Sequence, residues 1–181
     1  MRIKFSLALI SLALVLPTAD SDAQCLIGVF HDAAGQESVY WPFLNVPFDF
    51  YVVIRDEAAI EGVAYRLEFP AGMFVIAAQF SPDGDGFLFQ TPNGDIIGFG
   101  ECILGFGGQP ILVAHYTALF VDPGSIPGAI RLLPNVDENP LSIVYATCGE
   151  QVVACENVID LYIDFGGAVQ SRSFGAVKSL Y

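Results

Sequence analysis

The chain is predicted to fold as an all-β protein, an immunoglobulin-like two-sheet antiparallel sandwich of about 9–11 strands. Three observations predict it. Apolar residues alternate with period two through much of the chain, as strands with one buried face require. Turn signals recur at roughly ten-residue spacing. Beyond the first two dozen residues no segment carries a helical apolar stripe, so the helices that would separate the strands of a parallel α/β sheet are missing.

The N-terminus reads as a leader. Arg2 and Lys4 precede an apolar run from Phe5 to Leu16, then Pro17 and Ser21-Asp22-Ala23. This is the charged, apolar and small-residue pattern of a cleavable secretory signal over residues 1–23. The apolar run is about a dozen residues, short of the roughly 20 a membrane-spanning helix needs. Asp22-Ala23-Gln24 places charge and bulk before Cys25, which argues against a lipid anchor there. A soluble secreted product is expected, in the periplasm, at the cell surface or in the medium, with no membrane insertion after signal cleavage. One sandwich domain is expected over 24–165, and a C-terminal tail over 166–181.

Three strands stand out. From Pro47 to Arg55, Phe48, Phe50, Val52 and Ile54 share one face; from Gly62 to Phe69, Val63, Tyr65, Leu67 and Phe69 do. Ile159, Leu161, Ile163 and Phe165 alternate with Asp160, Tyr162 and Asp164. Less regular runs at Cys25 to His31, Met73 to Phe80, Phe87 to Gln90, Asp95 to Leu104, Ile111 to Val121, Ala129 to Leu133, Leu141 to Ala146 and Gln151 to Ala154 complete the set. Asn93-Gly94 is the strongest hairpin signal, because both residues tolerate the positive φ of a type I′ turn.

Charge narrows the partners. The chain has 7 Lys and Arg against 20 Asp and Glu, a formal net charge of −13. Losing the leader removes two of each sign and leaves the balance unchanged. Nucleic acid and anionic membranes need a basic footprint that is absent. An extracellular protein or a neutral glycan is the expected partner.

The four cysteines, Cys25, Cys102, Cys148 and Cys155, all follow the leader and are expected as two disulfides in an oxidising compartment. Cys148 and Cys155 flank a short turn, so the local pairing Cys148 with Cys155 is expected, leaving Cys25 with Cys102.

The segments Ile27-Gly28-Val29-Phe30-His31-Asp32, Phe48 to Ile54, Gly62 to Phe69, Leu112 to Val121 and Gly128-Ala129-Ile130-Arg131-Leu132 resemble, in strand phrasing and order, the cohesin-like and carbohydrate-binding-type sandwiches of secreted bacterial proteins. The resemblance spans roughly Cys25 to Phe165. It implies a noncatalytic interaction module: cohesins bind dockerin modules through one sheet face, and related sandwiches bind polysaccharide. No binding residue is matched position by position.

Three groups are candidate sites. Tyr40-Trp41-Pro42-Phe43 gathers the only tryptophan with two further aromatics. Exposed, Tyr40, Trp41 and Phe43 would stack on sugar faces or anchor a protein; buried, they would cap the sandwich, and burial is the reading their apolarity favours. Asp83 and Asp85, in Asp83-Gly84-Asp85-Gly86, place two hard oxygen donors on one turn, which makes Ca²⁺ the candidate cofactor. His31 and His115 are the only histidines. No nucleophile-elbow phrase accompanies them, and no catalytic residue is assigned. A secreted hydrolase is the third-ranked alternative. It predicts a cleft with converging carboxylates or a pair centred on His31.

Overall fold

In a computed structural model the described residues are 25–55, 59–80, 86–105, 109–122, 128–149 and 151–164. The predicted signal, the tail and the Asp83 and Asp85 turn lie outside them. Thirteen strands are described: β1 (Leu26–Phe30), β2 (Val39–Tyr40), β3 (Phe48–Arg55), β4 (Ala59–Glu68), β5 (Met73–Phe80), β6 (Phe87–Thr91), β7 (Gly94–Leu104), β8 (Ile111–Phe120), β9 (Gly128–Pro134), β10 (Ile143–Thr147), β11 (Val152–Cys155), β12 (Asn157–Ile159) and β13 (Leu161–Ile163).

They form two sheets. The first runs β12-β1-β3-β8-β5; the second runs β11-β10-β4-β9-β13-β2. β4 is the hub of the second sheet. β10 and then β9 flank one side of it, β7 flanks the other, and β6 continues outward from β7. The fold is therefore the two-sheet sandwich the alternation predicts, with thirteen described strands against the about 9–11 expected and with one correction of direction: β1 with β12 and β13 with β2 are parallel pairs. Both are formed by strands distant in sequence, which period-two patterning cannot order.

The core is built from the alternating faces. Phe48, Phe50, Val52 and Ile54 of β3 are all buried, as are Val63 and Tyr65 of β4. Rings stack through the middle: Phe50 lies 4.9 Å from Tyr116, and Phe48 lies 5.7 Å from Phe120. Such contacts add to the burial of large apolar area, which dominates the stability of a sandwich.

The final alternating run proves to be two strands. β12 joins the first sheet and β13 the second, with the break at Asp160, whose Oδ1 accepts the Leu132 backbone N–H at 3.1 Å. The chain crosses between sheets there without losing its alternation. The β6–β7 hairpin forms as expected but around a different turn. Pro92 and Asn93 are its central residues, and Gly94 takes φ +141° as the first residue of β7. Proline holds φ negative at the first central position, which excludes a type I′ turn.

The disulfides correct the sequence reading. Cys25 pairs with Cys155 and Cys102 with Cys148. In the β10–β11 hairpin Cys155 lies opposite Ile143, while Cys148 sits in the turn beyond Thr147. The two cysteines thus occupy opposite ends of the hairpin and cannot meet. The first bridge ties the start of the first sheet to the end of β11 in the second. The other joins the two neighbours of β4 where Ile103 and Thr147 both pair with Ile60.

Candidate functional site

The second sheet carries an apolar outer face set by strand register. Opposed residues of paired strands point to the same side. One row across the sheet is therefore Phe87, Gly98, Gly62, Ala146 and Val152; the next is Phe89, Ile96, Ala64, Val144 and Ala154. Five strands contribute to two rows, and no polar side chain interrupts them.

The rows form a trough. Gly98, Gly62 and Ala146 make the middle of the first row small, and Ala64 lies between Ile96 and Val144 in the second, while Phe87, Phe89 and Val152 stand at the rims with exposures of 65%, 71% and 71%. A side chain added at Gly98 would meet no atom within 4 Å, so the trough floor is open there. The concave part holds about 350 Å³, and Glu61 and Glu138 border it. A trough with a small-residue floor and large apolar rims fits a convex apolar ridge, and its acidic border favours a ridge flanked by basic residues.

The predicted aromatic trio is divided. Trp41 and Phe43 are exposed at 59% and 73%, which overturns the expectation of burial. They sit on the loop after β2, at the opposite edge of the second sheet from β11. The loop is held by the Asn45 N–H donating to Phe120 O at 2.8 Å, with Asn45 at φ +57°. Tyr40 instead stacks between His31 at 3.8 Å and Phe48 at 5.0 Å, so the three rings do not make one flat row.

Both histidines converge on Asp49, a grouping that their sequence separation hides. His31 Nδ1 lies 2.9 Å from Asp49 O, and His115 Nε2 lies 3.1 Å from Asp49 Oδ1. Thr117 Oγ1 donates to the same carboxylate oxygen at 2.7 Å. Burial alone would raise the Asp49 carboxyl; the bonds from Thr117 and His115 outweigh it and hold it below its usual value. The Thr117 hydroxyl is committed to the carboxylate instead of to a ring nitrogen, so this set lacks the nucleophile-to-base contact of a hydrolase. The pairing of β3 with β8 brings Asp49 opposite Thr117 and Tyr51 opposite His115, a long-range register that no local motif encodes.

No protein-family model matches the chain, and no curated protein matches it. Among solved structures it is similar to the third cohesin ScaC from Acetivibrio cellulolyticus, solved in complex with the ScaB dockerin. The identity is 9%, covering 77% of this chain and 97% of that one, with a TM-score of 0.50. It is also similar to a non-cellulosomal cohesin from the hyperthermophilic archaeon Archaeoglobus fulgidus, at 11% identity, 82% and 97% coverage and a TM-score of 0.49. The likeness to the ScaC cohesin is one of fold. The chain is a cohesin-like β-sandwich, as the strand phrasing implies.

Proposed function

We propose that the chain is a noncatalytic, secreted protein-interaction module that docks a protein partner in the apolar trough of the second sheet. The observation that carries this reading is the pair of uninterrupted apolar rows across five strands. A soluble sandwich normally covers its outward positions with polar residues. The partner we infer presents an apolar ridge, such as one face of a helix, flanked by Lys or Arg that meet Glu61 and Glu138. The ScaC cohesin was solved with a dockerin bound, which supports a protein as the partner class. The leader pattern and the two disulfides support export to an oxidising compartment.

Gly98→Glu provides the test, because the new side chain enters open space and the residue has no positive φ to lose. Wild-type and variant protein are immobilised side by side and exposed to secreted and envelope fractions, in calcium and in EDTA. The reading expects a protein retained by the wild type and lost by the variant, and binding of that purified protein is then titrated. Identical retention on both surfaces counts against the trough. The proposed calcium at Asp83 and Asp85 is read by the EDTA arm together with Asp83→Asn and Asp85→Asn. A calcium-dependent loss that these variants do not reproduce removes it.

A second reading places contact at the Trp41 and Phe43 loop, and their exposure favours it. Trp41→Ala should then weaken capture while Gly98→Glu leaves it intact.

A further inference from the structure

The two sheets part along one edge. β5 is the outermost strand of the first sheet, and an open cleft of about 420 Å³ lies between it and β6 and β7 of the second. That volume is within the roughly 300–1,000 Å³ range of small-ligand sites. Strand register decides which side chains of the second sheet face into it. Tyr65, Asp95 and Gln90 lie opposite one another on β4, β7 and β6, and Tyr65 is a core residue, so all three turn inward. Arg66 follows Tyr65 and takes the outward face, with Ala64 and Ile96. Asp95 is therefore the one charged side chain, among the described lining residues, that faces the cleft.

The carboxylate stands in apolar company. Leu67, Phe69, Phe80 and Leu88 supply apolar lining, and Phe80 meets Tyr116 edge-on, with ring centroids 5.9 Å apart and planes at 86°, so that the two rings make an aromatic corner. The Tyr65 and Tyr116 hydroxyls bond each other at 2.9 Å. Among the described residues no Lys or Arg forms an ion pair with Asp95. Burial raises its carboxyl above the usual value, and a hydrogen bond from Gln90 offsets only part of that. Ionised, Asp95 has given up part of its hydration and keeps acceptor capacity that its neighbours do not use.

Sign and surroundings together select the ligand. An anion meets Asp95 with no facing cation to offset it. A hard metal ion needs several oxygen donors, and one carboxylate among apolar walls does not supply them. An ammonium group on an apolar body satisfies every wall: its N–H groups donate charge-assisted bonds to Asp95, its charge is attracted to the faces of Phe80 and Tyr116, and its body covers Leu67 and Leu88. We propose that the cleft between β5 and β7 is a binding site for a small organic amine, protonated at its nitrogen and carrying an aromatic or aliphatic body. It is separate from the protein-docking trough, which uses the outward side chains of β4 and β7.

Titrating the full exported chain near pH 7 with 2-phenylethylamine, followed by amide chemical shifts, tests this directly. Saturable shifts should centre on Ala78, Phe80, Leu88, Gln90 and Asp95. Three probes separate the contributions: 2-phenylethanol keeps the body without the charge, phenylacetate reverses the charge, and methylamine keeps the charge without the body. Each should bind at least about tenfold more weakly, the scale of losing a charged hydrogen bond or the burial of a ring. Asp95→Asn should weaken binding of the amine by a similar factor. It should melt no lower than the wild type, because it removes a carboxylate whose ionised form burial disfavours. Ala78→Phe, at an exposed position that lines the cleft, should block the site by filling it. Gly98→Glu should leave the amine bound as before, which separates this site from the trough. The proposal is overturned by an absence of saturable shifts at the cleft, by methylamine or 2-phenylethanol binding as well as the amine, or by wild-type affinity in folded Asp95→Asn or Ala78→Phe.

Discussion

At the scale of single residues, two polar groups carry measurable consequences. Tyr65 is wholly buried, and its hydroxyl has the Tyr116 hydroxyl as its partner at 2.9 Å. Desolvation raises both phenols well above their ordinary range. Tyr116→Phe strands the Tyr65 hydroxyl in the core and should cost about 1–3 kcal/mol by denaturant melting. Tyr65→Phe with Tyr116→Phe should cost less than the two single losses summed, because no orphan remains; strict additivity would show that the bond is not coupled. Asp49 behaves differently, since its carboxyl is held low in the folded state. The stability it contributes is present above the unfolded carboxylate range and disappears as pH falls through its lowered folded value. Its side chain is 48% exposed, so solvent screening keeps the effect below about 1 kcal/mol. Asp49→Asn should therefore melt slightly below the wild type near pH 7, with the gap closing toward pH 3. A gap that widens in acid would contradict this assignment.

At the scale of elements, the disulfides and the edge strand matter most. The Cys25–Cys155 bridge spans 130 residues and Cys102–Cys148 spans 46. Loop-closure entropy gives about 5 and about 4 kcal/mol respectively, as upper bounds. Replacing Cys102 and Cys148 together with alanine should lower stability by no more than that, and by less than replacing Cys25 and Cys155; denaturant melts of the two double variants decide the order. β5 is an outermost strand of eight residues without a charge, with Phe74 and Ile76 exposed at 55% and 54%. An uncharged apolar edge invites strand pairing between copies, although the register shift between Val75 and Ala77 blunts it. Ile76→Lys should reduce concentration-dependent association in sedimentation without lowering the melting temperature. These elements also show what local pattern can reveal. Burial of Phe48, Phe50, Val52 and Ile54 follows from alternation alone, because burial is a property of one strand's two faces. The parallel β1–β12 pair, the cysteine partners and the convergence of His31 and His115 on Asp49 depend on which strands become neighbours, and alternation is silent on that. Trp41 is exposed against expectation for a related reason: apolarity favours burial only where the topology supplies something to cover the ring.

At the scale of the whole molecule, the acidic charge and the apolar trough are two halves of one design. The net charge of −13 opposes association of copies through the large apolar side chains exposed on the second sheet. Under the proposed function the same field draws a basic-flanked partner, and Glu61 and Glu138, which border the trough, orient it. Long-range attraction acts on encounter and short-range apolar contact acts on residence. Raising ionic strength from about 20 mM to about 300 mM shrinks the screening length severalfold. The association rate of a captured partner should fall markedly over that range with little change in its dissociation rate. Glu61→Gln with Glu138→Gln should flatten the salt dependence and leave dissociation nearly as it was. Filling the trough through Gly98→Ala, a single methyl directed into open space, should instead speed dissociation while the salt dependence of association persists. Surface plasmon resonance at several salt concentrations separates the two effects. If dissociation alone responds to salt, the border carboxylates are buried in the complex and pair directly with the partner, and their role is adhesion instead of steering.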